Sequence, residues 1–258
     1  MKILVCMKQV PDLESRFRVN ADGTWFDESD LAFRMNEYDE YAVEQAVQVR
    51  EKLGAEAELT VLSVGPARVV EALKKALAMG CDKAVHILDA AVHTKDPAQI
   101  AATIAQFCKD KDFKLIFTGM QSQDRGSAQV GVLLASALGY SCATTIVDFS
   151  LVGDNVEVKR ELEGGTKGVV TLSLPAVFTC QLGLNSPRYP TLPNIMKAKK
   201  KEIREIPVAE LTCIEPLALT RKVYPPEKKS GGLVLEGDVA TMVDRVVSLL
   251  KEKTSVLR

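Results

Sequence analysis

The chain has 258 residues, 47% hydrophobic and 26% charged, with a formal net charge of −1. That length suits one large domain or a domain with an appendage, and such a core needs neither disulfides nor metal. A near-neutral balance excludes bulk attraction to nucleic acid or an anionic surface, and no apolar run reaches membrane-spanning length.

Strand and helix signals alternate along the first two-thirds. Lys2 to Val10 is a β-rich run, too short in its apolar part for a signal peptide. A polar, hairpin-like segment follows. Asn36 then opens a helix, with Asp39 at the third helical position as in a capping box, and Gly54 stops it. Leu59 to Val64 reads as a strand, "GPARVVEALKKALAMG" as a helix ended by Gly80, and Ala84 to Leu88 as a strand. Asp96 and Pro97 form an N-cap and first helical position for the next helix. Leu115 to Thr118 is a short strand, "GSAQVGVLLASALG" a helix, and Thr144 to Phe149 a strand. From about Val156 a β-ribbon is expected, turning at Gly164-Gly165 and running into a further strand. Past Lys197 the chain reads as irregular, with Ser230-Gly231-Gly232 as a linker. Gly237 to Lys253 is a helix with its own apolar stripe.

Apolar strands joined by amphipathic helices imply a doubly wound, mostly parallel α/β sheet covered on both faces, with right-handed crossovers. The β-ribbon extends it and a C-terminal arm and helix follow. Six cysteines, Cys6, Cys81, Cys108, Cys142, Cys180 and Cys213, form no CxxC unit. They read as buried reduced thiols, which points to a reducing cytoplasm.

Ligands of an open α/β sheet bind beyond the carboxyl ends of its strands. Lys8 to Pro11, Gly65-Pro66 and Gly119 to Gly131 occupy such positions. The last, "GMQSQDRGSAQVG", carries glycine, amides and hydroxyls straight into a helix N-terminus, where free N–H groups favour a phosphate. Gln121, Gln123, Ser127 and Gln129 are placed to hydrogen-bond a phosphate, ribose or base; the plainer alternative is a polar βα loop. There is no GxxxxGK[ST], no GxGxxG after the first strand and no GxSxG. His86 and His93, seven apart, read as a solvated loop pair with no completing metal ligands. Caps and turns account for Asp12, Asp39 and Asp124. A nucleotide cradle without bond-making groups favours a carrier over an enzyme acting alone.

The stretches "ILVCMKQVPD", "MNEYDEYAVEQAV", "SVGPARVVEALKKALAMGCDKAVHI", "GMQSQDRGSAQVG", "VKRELEGG", "LPAVFTC" and "LNSPRYPTLPNIMKAKKK" occur in this order. Together they resemble the β subunit of electron transfer flavoprotein, over roughly Met1 to Pro207 and more loosely beyond. One departure is that Lys167 and Gly168 stand where the family usually has an acidic or amide residue after the glycine pair.

The resemblance implies a Rossmann-like, adenine-nucleotide-binding domain over 1–207, with a recognition loop at 184–201. Residues 208–258 would be an arm and helix packing against the α subunit. That subunit would hold the redox-active FAD, which this chain helps to enclose. Electrons would come from acyl-CoA and related dehydrogenases of fatty acid oxidation and pass to a membrane quinone oxidoreductase. The β subunit buries a structural AMP. By position the resemblance assigns its contacts to Cys6, to Asn36, Glu37, Tyr38 and Asp39, and to Val64. The loop of Gly119, Met120, Gln121, Ser122, Gln123, Asp124, Arg125, Gly126, Ser127, Ala128, Gln129 and Val130 completes them.

The resemblance also makes Leu192 the anchor that docks on a dehydrogenase. Tyr189, Pro193, Ile195 and Met196 would stand beside it, and Lys197 and Lys200 would steer acidic partners. Pro187, Pro190 and Pro193 restrict the free loop, so less entropy is lost on docking. Two alternatives stay open. Electron-bifurcating members hold a second FAD in place of AMP and share "AQVG" at Ala128 to Gly131, although "KRELEGG" matches the AMP group. A stand-alone adenine-nucleotide enzyme or sensor is a reading of another class.

Overall fold

The computed structural model describes residues 1–211, 213–227 and 231–255. Ser230, the head of the expected linker, lies outside the described residues. The chain forms two compact units, Met1–Val223 and Tyr224–Arg258.

The first unit begins with β1 (Lys2–Cys6), β2 (Gln9–Pro11), β3 (Phe33–Met35), α1 (Glu37–Leu53), β4 (Glu58–Gly65), α2 (Val69–Met79) and β5 (Lys83–Leu88). It continues through α3 (Pro97–Cys108), β6 (Phe113–Gly119), α4 (Val130–Leu138), β7 (Ser141–Val152), β8 (Asn155–Glu161) and β9 (Lys167–Ser173). It ends with β10 (Ala176–Cys180), α5 (Leu192–Ala198) and β11 (Ile203–Pro207). Nine strands make one sheet in the order β11-β5-β4-β1-β6-β10-β7-β8-β9. Its pairs are parallel from β11 to β7 and antiparallel through β8 and β9, which form the expected ribbon. β2 and β3 form a separate antiparallel pair.

The alternating burial of β1 explains the layering. Ile3 and Val5 point into a core shared with Val43 and Ala46 of α1 and with Leu73 and Leu77 of α2. Leu4 and Cys6 point into a second core with Ile104 of α3 and Leu134 of α4. The sheet is therefore covered on both faces, as near-continuous apolar strands require. After β1 the chain steps toward β4 in one direction, and β6 lies on its other side. The crevice between β1 and β6 is the topological switch point, where ligands of such sheets sit.

Helix ends follow local chemistry in most places. Asp96 caps α3 in a full capping box with Gln99, and Gly54 and Gly80 follow the last residues of α1 and α2. Three expectations are corrected. α4 starts at Val130 and not near Gly126, because Gly126 and Ala128 take positive φ values of 60° and 53° that interrupt a helix. The stretch past Lys197 is not wholly irregular: Ile203–Pro207 pairs in parallel with β5 as an edge strand. The proline-rich loop contains α5, capped by Thr191 and packed on α2.

His86 is fully buried in β5, with Nε2 2.8 Å from the Gly65 carbonyl oxygen. His93 alone sits in a turn, so the two are not a solvated pair. Cys6, Cys81, Cys108 and Cys180 are buried, whereas Cys142 and Cys213 are exposed. Burial pushes the Cys81 and Cys108 thiols up to about 12, which keeps them protonated and inert.

In the second unit, Asp238 accepts from Thr241 N at 3.1 Å and opens α6 (Val239–Lys253). Val239, Val243, Val246, Val247 and Leu250 recur at helical spacing along α6, and none is buried.

Candidate functional site

At the switch point a cleft of about 170 Å³ is walled by the ends of β1, β4 and β6, by the loop before α4, and by Trp25, Phe26, Glu28, Phe33 and Asn36. Of the residues expected to touch a nucleotide, Cys6, Asn36, Asp39 and Val64 line it. So do Gly119, Met120, Gln121, Ser122, Asp124 and Arg125, and Ser127, Ala128, Gln129 and Val130. Glu37, Tyr38, Gln123 and Gly126 are not on its wall. Three of these brace it: Glu37 Oε2 accepts from Gln123 Nε2 at 2.9 Å, and Gln121 Nε2 lies 3.2 Å from the Tyr38 hydroxyl.

Asn36 and Asp39 do different work from that read in the sequence. Neither makes the side-chain cap of α1. Asn36, 1% exposed, donates to the Gln121 carbonyl at 2.8 Å and accepts from Gln123 N at 3.0 Å. One amide thus fixes both edges of the glycine-bearing loop, as a paired amide can because it offers a donor and an acceptor. Asp39 accepts from Lys8 N at 2.6 Å and Gly119 N at 2.9 Å, tying the ends of β1 and β6. The capping positions were taken over because these long-range bonds satisfy buried backbone donors.

Burial raises the Asp39 carboxyl to about 7, with the Lys8 and Gly119 amides and Asn36 pulling against that rise. An unfolded aspartate titrates near 3.9. The folded protein therefore binds the extra proton, and Asp39 erodes stability as pH rises from about 4 to about 7, with no further change above. We expect Asp39→Asn to flatten the pH dependence of urea unfolding across that window. An unchanged slope would show that Asp39 is not its source.

Sequence reading marked Lys8 and Pro66 only as strand-end positions, yet both line the cleft. Lys8 Nζ lies 2.7 Å from both Asp124 carboxylate oxygens and 3.3 Å from Ser122 Oγ. Loss of water lowers the Lys8 ammonium pKa, and Asp124 opposes that. Asp124 is thus an ion-pair partner and not a cap, whereas Asp12 does make the expected turn, accepting from Glu14 N at 3.0 Å. Trp25, Phe33 and Arg68 form a wall that local sequence did not announce. Arg68 lies 3.9 Å over the Phe33 ring and 3.1 Å from Glu28. Among the described residues no group of His, Cys, Asp or Glu is placed to hold a metal.

A second surface is built by residues 184–201. Arg188 pairs with Glu44 at 2.8 Å and Glu51 at 2.6 Å, and Asn185 donates to the Tyr41 carbonyl at 3.0 Å. At the far end Ala198 is buried and Lys201 donates to the Cys81 carbonyl at 2.6 Å. Both feet are fixed while the crest stands clear. Tyr189 is 93% exposed, Leu192 78% and Met196 58%, and Pro193, Ile195, Lys197 and Lys200 are exposed too.

The family model for the electron transfer flavoprotein domain matches residues 23–211. An electron transfer flavoprotein subunit beta from Bacillus subtilis is 37% identical over 262 residues, covering all of both chains. This chain belongs to the electron transfer flavoprotein β-subunit family. The Methylophilus methylotrophus β subunit is 34% identical with 98% of each chain covered. The Sus scrofa β subunit is 37% identical with 90% of this chain and 91% of the relative covered. The family match includes the loop before α4 and the exposed crest.

Proposed function

We propose that this chain is the β subunit of a heterodimeric electron transfer flavoprotein, which carries electrons and has no catalytic site of its own. In this reading the α subunit holds the redox-active FAD and this chain helps to enclose it. The cleft holds AMP as a structural group. Lys8 and the N–H groups at the start of α4 would meet its phosphate, since a helix start leaves its first amides without intrahelical partners. Residues 208–258 would be the arm, and the unburied apolar face of α6 suits packing on the α subunit. Leu192 would anchor acyl-CoA-type dehydrogenases, with a quinone oxidoreductase as acceptor. No helix among the described residues is long and apolar enough to cross a membrane. Buried thiols fit the reducing cytoplasm, although a rice relative's name carries the word mitochondrial.

The observation that carries this reading is the loop before α4, held by Asn36 and Asp39 around the switch-point cleft in a chain of this family. A second reading, a bifurcating subunit with FAD in the same cleft, rests on AQVG at Ala128 to Gly131, which the resemblance gives to such members too. Acid release of nucleotides from the complex with its α subunit, identified by mass, separates the two. We expect one FAD and one AMP per heterodimer. Two FAD and no AMP would overturn the structural-nucleotide reading.

A further inference from the structure

One residue of the nucleotide loop reaches across the cleft instead of lining it passively. Arg125 donates through Nη1 to the Lys95 carbonyl at 3.0 Å and through Nη2 to the His93 carbonyl. The face of its guanidinium lies 4.7 Å from the Trp25 ring centroid. Trp25 is itself held: its indole packs 4.1 Å from the Phe26 ring, and its Nε1 donates to Glu28 at 3.2 Å. Glu28 pairs in turn with Arg68. Three segments distant in sequence thus meet at one side chain, and Arg125, Trp25, His93 and Lys95 all line the cleft.

Guanidinium suits this position because its planar fork reaches two carbonyls along one edge while its face stacks on an aromatic ring. A lysine offers a point charge and cannot do both. These contacts are separate from the bonds by which Asn36 holds both edges of the loop.

We propose that Arg125 is a latch that closes the cleft over its nucleotide, and that opening the Arg125–Trp25 contact sets the rate of nucleotide exchange. This rests on the reading of the cleft as a nucleoside monophosphate site. A latch differs from a ligand contact in its kinetics. Removing a latch speeds entry as well as exit, so affinity falls less than release rises, whereas removing a contact speeds exit alone.

The test uses the complex with the α subunit, in wild-type, Arg125→Ala, Arg125→Lys and Trp25→Leu forms. Exchange of bound AMP against isotope-labelled AMP, read by mass, gives the release rate, and equilibrium dialysis of AMP gives Kd. We expect release about 10-fold faster in Arg125→Ala and Trp25→Leu, as for losing one desolvated cation–π contact, with Kd rising by clearly less than release does. Arg125→Lys should fall between. Wild-type release rates in Arg125→Ala would overturn the latch, and so would a rise in release matched by an equal rise in Kd. If Arg125→Ala does not fold, Trp25→Leu decides by the same criteria. Should the wild-type cleft yield FAD, the monophosphate reading fails. The same exchange run with labelled FAD then judges the latch alone.

Discussion

Leu192→Ala should cut kcat/KM for reduction by the natural dehydrogenase about 30-fold, the loss of a central anchor worth about 2 kcal/mol. The fold gives the reason. Arg188, Asn185, Ala198 and Lys201 fasten the loop at both feet, so the crest is preorganised before a partner arrives. Leu192 is 78% exposed and contributes little to this chain's own packing. Stability should therefore change by no more than about 0.5 kcal/mol, as for a surface site. Thr191, whose side chain accepts from Asn194 N, still caps α5 in the variant. Stopped-flow reduction across dehydrogenase concentrations measures the effect. Unchanged rates with an intact complex would remove Leu192 from the docking surface.

Gly119→Ala should destabilise the chain by about 3 kcal/mol, combining overpacking with a lost buried hydrogen bond. A Cβ there would strike Asp39 Oδ1 and stand 2.8 Å from Tyr38 Cβ and 3.1 Å from Asp39 N. Backbone atoms and a buried carboxylate cannot yield as a flexible side-chain end does. The variant should also lose its nucleotide, because Gly119 N is one of the two donors that tie Asp39 to the cleft floor. Gly23→Ala separates strain from space: φ is 67° but nothing lies within 4 Å. That change should cost only about 1 kcal/mol of left-handed strain. Urea unfolding of both variants, with nucleotide analysis, makes the comparison. Equal losses would mean that the Asp39 contact is not what demands glycine.

The sequence was legible where short-range chemistry decides the structure. Asp96 with Pro97, Gly54, Gly80 and the apolar stripe of α6 act within a few residues of themselves, and they marked their elements. The strand-end rule led to the Gly119 to Gly131 loop, most of which lines the cleft, without any knowledge of pairing. What stayed hidden depends on partners far along the chain. Ile203–Pro207 has no clear alternation and is a strand because β5 lies beside it. Asn36 and Asp39 sit at capping positions, and only the folded loop shows that their side chains serve residues 85 and 80 positions ahead. Nothing local singles out Trp25 or Arg68, which only the fold brings to one wall.

The place of β10 has a consequence for how the molecule is made. It lies between β6 and β7, yet it follows the whole β8–β9 ribbon in the chain. A nascent chain that ends before Ala176 therefore carries a strand-wide gap through the middle of its sheet. The carbonyl of Cys180, which receives Met120 N at 2.9 Å, is not yet synthesised. The cleft floor at Gly119 and Met120 can then be completed only after more than two-thirds of the chain is made. Until that point β6 and β7 each lack the neighbour that covers one edge in the finished sheet, and unpaired edges of this kind are templates for pairing with other chains.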